Sequence, residues 1–246
     1  MENRVERLQL TMPPEPSVAW VAKPDRAQLR ARRVVMPDDP GPAAHAYRML
    51  RTQLLRQVRA QKLRIIGIVS AVDGEGKTLT ATNLAISVAA EPNQTVLLVD
   101  LDLHRPNIAS LLGLEASTGL DSWFAQDRMD IGELFVRIDG MERLRVLPTL
   151  APVPGSSEAL AGPRAVDLLN DLRTRYTDRL VIVDLPPVLL TDDVLTISPM
   201  LDGVIVVASQ GHTRREDLAR LHELLGHVRI LGTVLNRSSE SERRAY

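Results

Sequence analysis

The sequence predicts an α/β fold, a doubly wound and mostly parallel sheet preceded by a helix and a flexible N-terminal arm. Three observations point there. The apolar runs IIGIV, TVLLV, LVIV and GVIVV do not alternate polar with apolar, as expected of parallel strands covered on both faces. Segments of helical period separate them, and alternating β and α elements build a parallel sheet flanked by helices. The chain has 246 residues, enough for one large α/β domain or two small ones. A chain of this size buries roughly 70–75% of its unfolded surface and needs no disulfide or metal staple.

The elements follow in order. Residues 1–42 hold seven of the 16 Pro and no sustained hydrophobic period, so they read as a flexible arm. Arg26, Arg30, Arg32 and Arg33 make it locally basic, which leaves open docking to an anionic membrane or a partner. At 43–60 the pattern becomes helical: Ala46, Met49, Leu50, Gln53, Leu54 and Val58 recur at three- and four-residue steps. Strands are expected at 64–70, 95–100, 144–148, 180–184, 203–209 and 231–236, each short, apolar and bounded by turn residues. Helices are expected at 77–90, 107–112, 119–125, 163–176, 192–200 and 213–227. The domain therefore runs over 43–237, with a short tail at 238–246.

Composition excludes several function classes. There is no Cys, hence no disulfide framework, zinc ribbon or thiol nucleophile. Thirty Lys+Arg stand against 31 Asp+Glu, which argues against a generally basic nucleic-acid binder. No apolar run reaches the length of a membrane span, and no signal-peptide core follows the first charges. The expected address is the cytoplasm.

Residues 71–78 read Ala-Val-Asp-Gly-Glu-Gly-Lys-Thr, directly after the strand IIGIV and at the start of a helix. That context is the one a phosphate-binding loop needs. Gly74 and Gly76 let the chain curl until successive N–H groups face one anion, and the helix N-terminus adds free donors. The nucleotide-binding set is Asp73, Gly74, Glu75, Gly76, Lys77, Thr78 and Leu79, with Lys77 as the mobile cation. Thr78 offers a hydroxyl to Mg²⁺, which keeps waters and phosphate oxygens as its other ligands. The second strand ends in Asp100-Leu101-Asp102, and residues i and i+2 of an extended segment point the same way. A further strand ends at Asp184. Ligands of such sheets bind at the carboxyl ends of the strands, so these acids read as a Mg²⁺ and base constellation.

These motifs together resemble the cytoplasmic kinase module of the bacterial tyrosine kinases that regulate capsule and exopolysaccharide export. Five segments carry the resemblance: YRMLRT at 47–52, the phosphate loop followed by Asn83-Leu84-Ala85, VLLVDLDLHRP at 96–106, VIVDLPPVLLTDD at 181–193, and GTVLNR at 232–237. The resemblance implies bound ATP and Mg²⁺. It gives Lys77, Asp100, Asp102 and Asp184 the catalytic roles, Thr78 and the three Asp the metal, and Asp102 or Asp100 the part of base. Arg48 and Arg51 match an oligomer-forming helix motif, which implies a homo-oligomer. The implied partner is a separate transmembrane chain-length determinant that activates the kinase and holds it at the inner face of the membrane. Tyr246 is the phosphoacceptor candidate and the single Tyr of the tail SSESERRAY. The chain departs from the family pattern at Asp73 (usually Pro), His104 (usually Arg), His45 (usually Glu) and Gly155-Ser156 (usually Asn-Pro). Two alternatives remain: a kinase-inactive ATPase regulator of the same system, and a positioning ATPase of the partitioning and cell-division kind. The latter carry a second Lys early in the loop, where this chain has Val72.

Overall fold

The computed structural model describes residues 20–126, 129–175 and 179–238. Its strands are β1 (Trp20–Ala22), β2 (Ile65–Ser70), β3 (Thr95–Asp100), β4 (Val136–Ile138), β5 (Leu144–Leu147), β6 (Arg179–Asp184), β7 (Gly203–Ser209) and β8 (Ile230–Asn236). Its helices are α1 (Arg26–Ala31), α2 (Pro42–Gln61), α3 (Lys77–Ala89), α4 (Ile108–Leu112), α5 (Leu120–Ala125), α6 (Ser156–Ala161), α7 (Pro163–Thr174), α8 (Asp193–Ile197) and α9 (Arg215–Leu224).

The strands form one sheet in the order β1-β4-β5-β3-β6-β2-β7-β8. Every pairing is parallel except β4 with β5. The strands β2, β6 and β7 are buried at every residue, which accounts for their unbroken apolar runs. One face of the sheet packs against α2, α3 and α4 through residues such as Leu54, Leu84 and Ile108. The other packs against α7, α8 and α9 through Leu168, Val194 and Leu221. The long helix α2 begins at Gly41-Pro42 and stops at Lys62, whose left-handed backbone turns the chain into β2.

The N-terminal arm is the main departure from expectation. Residues 1–19 lie outside the described residues, but 20–41 belong to the domain. The strand β1 pairs with β4, and Leu29, Val34 and Met36 are buried. The side chain of Asn83 fastens the segment to α3, accepting from the Val35 N–H at 2.8 Å and donating to the Arg33 carbonyl at 3.2 Å. Isolated anchors of this kind have no period to detect. The basic stretch is also partly neutralised, because Arg26 pairs with Asp38 and Arg30 with Asp39. Three other unexpected elements, α6, β4 and a 3-10 turn at Ile131–Leu134, are six residues or fewer.

Candidate nucleotide site

The central position of β2 decides where the site lies. Its carboxyl end feeds the loop 71–76 into α3, with β6 on one side and β7 on the other. Gly74 and Gly76 both have positive φ, +75° and +90°, so the loop curls as the glycines predict. The first turn of α3 leaves N–H groups with no intrahelical partner, facing the mouth of the loop. Leu79 packs its side chain against the core beneath α3, so only its backbone is available to a nucleotide.

Glu75 holds the loop in shape. It is fully buried. One carboxylate oxygen accepts the Val72 N–H at 2.9 Å, and the other accepts the Thr213 hydroxyl. Thr213 in turn accepts the Ser209 N–H at 2.7 Å. From β8, Asn236 donates to the Glu75 carbonyl at 2.9 Å, and His212 meets the Asp73 carbonyl at 2.9 Å. Sequence reasoning missed Thr213, Asn236 and His212. Asn236 stood within a quoted motif, but nothing local tells that its amide reaches across the sheet.

The structure brings Lys77 and the strand-end acids together beside the loop. Lys77 Nζ lies 2.6 Å from Asp102 Oδ2, with both side chains nearly inaccessible. Burial opposes the ammonium charge, but Asp184 and Asp102 outweigh it and hold the Lys77 pKa above its usual value. Asp100 and Asp184 are register partners at the ends of β3 and β6. Burial pushes Asp184 up to about 6, against the pull of Lys77 and the Thr78 hydroxyl. Neither oxygen of Asp184 has a hydrogen bond of good geometry. Asp100 carries a second duty, because its Oδ2 accepts the N–H groups of Asn107 (3.0 Å) and Ile108 (2.9 Å) and so anchors α4. Its Oδ1 has no partner, and burial together with the Asp184 charge raises its pKa well above the usual range.

With Asp102 and Asp184 both ionised beside one lysine, the buried site carries an excess of negative charge that a divalent cation would balance. Among the described residues no three side chains form a ready-made metal cage. Mg²⁺ keeps waters and phosphate oxygens in its shell and so asks for few protein donors. The residues present therefore fit a nucleotide with its metal.

The departures from the family pattern have physical outcomes. The Asp73 carboxylate turns to Arg105 NH1 at 2.5 Å, so its charge is countered before it meets a phosphate. His104 Nε2 lies 2.8 Å from Ser156 Oγ and 3.4 Å from the fully buried Asp193. This ties the loop after β3 to the starts of α6 and α8. Of the two arginines assigned to the oligomer helix, Arg51 is engaged within the chain. It pairs with Glu91 at 2.8 Å and donates to the Ser87 carbonyl at 3.2 Å. Arg48 is half-buried and His45 exposed. Tyr246 lies outside the described residues.

Comparison with known proteins agrees with this fold. Residues 61–243 match the model of the ParA family, described as NUBPL iron-transfer P-loop NTPase. The chain is 29% identical over 225 residues to the tyrosine-protein kinase YwqD of Bacillus subtilis, covering 90% of this chain and 93% of that protein. It is 26% identical over 224 residues to the succinoglycan biosynthesis transport protein ExoP of Rhizobium meliloti, spanning 88% of this chain but 28% of that longer protein. The solved kinase domain of the Escherichia coli tyrosine kinase ETK superposes with a TM-score of 0.70 at 26% identity, covering 91% of this chain and 92% of that one. Iron–sulfur clusters are held chiefly by Cys thiolates, and this chain has no Cys, so what it shares with the family model is the nucleotide-binding core. The chain belongs to the ParA family of P-loop NTPases, and nearly its whole length is similar to bacterial tyrosine kinases.

Proposed function

We propose that the chain is a Mg-ATP-dependent protein-tyrosine kinase of the bacterial type, regulating capsular or exopolysaccharide synthesis and export. The observation that carries this reading is the buried Lys77–Asp102 pair at the mouth of the phosphate loop, beside a buried Asp184 whose oxygens have no hydrogen bond of good geometry. Bound Mg-ATP supplies the phosphoryl group and a cation that neutralises charge on it. The loop N–H groups after Gly74 and Gly76 bind the phosphates. Lys77, paired with Asp102 here, would reach the outer phosphate oxygens, and Thr78 and Asp184 would hold the metal, with Asp100 behind them. Asp102, freed from Lys77, accepts the proton of the attacking tyrosine hydroxyl. The phosphoryl group passes to the tyrosine oxygen and ADP leaves. Tyr246 is the acceptor proposed within this chain.

Among the described residues no helix is long and apolar enough to cross a membrane. A separate transmembrane chain-length determinant is the proposed activator and the means by which the kinase works at the inner membrane face. Self-association through α2 is part of the same proposal. The engagement of Arg51 with Glu91 favours a second reading, an ATPase that has lost kinase activity, because it removes one cation from the oligomer motif.

Incubation with Mg-ATP, with and without the activator's cytoplasmic segment, separates the readings when phosphotyrosine and ADP are measured independently. Phosphotyrosine that disappears in Lys77→Met and in Tyr246→Phe is the expected result. ADP without phosphotyrosine supports the ATPase reading, and absence of both at saturating Mg-ATP overturns the site assignment.

A further inference from the structure

Asp193, the first residue of α8, is fully inaccessible to solvent. A carboxylate withdrawn from water costs free energy unless its oxygens are bonded. Its Oδ1 accepts from the Ser157 hydroxyl at 2.7 Å and from the Ser156 hydroxyl at 3.3 Å, both in the first turn of α6. Its Oδ2 makes no hydrogen bond of good geometry and lies 3.4 Å from His104 Nε2. The same ring nitrogen is 2.8 Å from Ser156 Oγ. A carboxylate only accepts, so Ser156 gives its one proton to Asp193, and its oxygen is left to accept the His104 Nε2–H. Donation therefore runs from His104 to Ser156 to Asp193.

His104 lies two residues beyond Asp102, on the loop after β3. The next residue connects back to the site. The Arg105 N–H donates to Asp102 Oδ1 at 3.0 Å, while Lys77 Nζ donates to Asp102 Oδ2 at 2.6 Å. One oxygen of Asp102 is thus placed by the cation and the other by the turn 102–105. That turn is pinned on its inner side, where the fully buried Leu103 accepts the Val153 N–H at 2.9 Å. On its outer side the Arg105–Asp73 pair is largely exposed, and exposed pairs hold little. The contact of His104 with Ser156 and Asp193 is the better buried restraint there. It also joins two loops of the site, since Asp193 stands nine residues after Asp184.

We propose that Asp193 is a positioning residue for the reaction: through Ser156 and His104 it fixes the turn after β3, and so the aim of the Asp102 carboxylate. The role of Asp102 as base rests on the kinase reading, whereas the placement of its carboxylate does not. Fixed placement matters because a reacting group held slightly out of line loses much of its effect. Neither Asp193 nor Ser156 touches the reacting atoms, so their removal acts on turnover and not on the grip of the phosphate loop.

The test uses the full chain and two readouts. Selective carbon-13 labelling of Asp gives the Asp102 carboxyl resonance, identified by its loss in Asp102→Asn and read without nucleotide. Turnover with Mg-ATP gives kcat and KM from phosphotyrosine and from ADP. Asp193→Asn is expected to move the Asp102 resonance and to lower kcat roughly ten- to a hundredfold, with KM for Mg-ATP little changed. His104→Ala, at a side chain 46% exposed and so tolerated by the fold, is expected to do the same. The double variant should do no more than either alone, because both act through one contact. Ser198→Ala is the matched control: it removes a hydrogen bond to His227 just beyond α8, and should lower the thermal midpoint without moving the resonance or kcat. A resonance unmoved by His104→Ala, or a kcat that falls as far in Ser198→Ala, overturns the proposal. If the resonance moves as expected but the parent makes neither phosphotyrosine nor ADP, the kinase reading falls while the placement of Asp102 by Asp193 stands.

Discussion

Replacing Asp184 by Asn separates what the site costs the fold from what it does. The carboxylate is fully buried with neither oxygen well bonded, and burial moves its pKa from 3.8 to about 6. Between those two values the native state binds more protons than the unfolded chain, so stability falls as pH rises through this window. At roughly 1.4 kcal/mol per pH unit the loss reaches about 3 kcal/mol once the native group is ionised. The Asn amide carries no charge, but its own unbonded polar atoms cost about 1–3 kcal/mol. The metal-free variant should thus gain up to about 2 kcal/mol near pH 8, or about 4–8 °C in thermal midpoint, and gain nothing near pH 4. Denaturant unfolding in EDTA across this range measures the difference. Titration calorimetry of the same variant should show weakened Mg-ATP binding. A variant equally destabilised at every pH would refute the reasoning, because Asp184 would then be a satisfied structural group rather than one awaiting a cation.

Three further outcomes are expected. Lys77→Met strands Asp102 and Asp184 without their cation and should lower stability by about 3–5 kcal/mol at neutral pH, read by chemical denaturation. Thr213→Val keeps the side-chain shape but removes the hydroxyl that serves Glu75; it should cost about 1–3 kcal/mol and loosen nucleotide binding in calorimetry, although Thr213 lies outside the loop motif. Arg105→Ala releases the half-exposed Asp73 toward the phosphates; ATP affinity should fall by less than about tenfold, more at low salt, and recover in the double variant with Asp73→Asn.

The buried parallel strands were readable because both of their faces are covered, which leaves runs such as LVIV with no competing pattern. The phosphate loop was readable for a related reason: its glycines, lysine and threonine act through neighbours in sequence. The strand-end acids followed from the same local geometry, although Asp100 proved to anchor α4 as well. What stayed hidden acts over long separations. Thr213 and Asn236 reach Glu75 across 138 and 161 residues, and no local spacing encodes that. The segment 20–41 was misread because Ala22, Leu29, Val34 and Met36 are single anchors seated by pairing with β4 and by the Asn83 side chain. Arg51 fitted a helix motif as well as any exposed arginine. Only the position of Glu91 on the neighbouring helix end turns it inward.

The sheet order has a consequence for how the chain matures. β2, third from one edge, carries the phosphate loop, yet its partners β6 and β7 and the clamp residue on β8 are synthesised far later. Pairings this distant close slowly, since loop entropy is spent before contacts reward it. The nascent chain therefore carries its glycine loop without the Thr213 hydroxyl on the Glu75 carboxylate until the turn after β7 is made, and without Asn236 on the Glu75 carbonyl until β8 has docked. Binding of a nucleotide to the folded site adds its free energy to the stability of the whole domain rather than of one segment. The site is thus the joint product of β2, the turn after β7 and the final described strand, and a change in any of them reaches the loop.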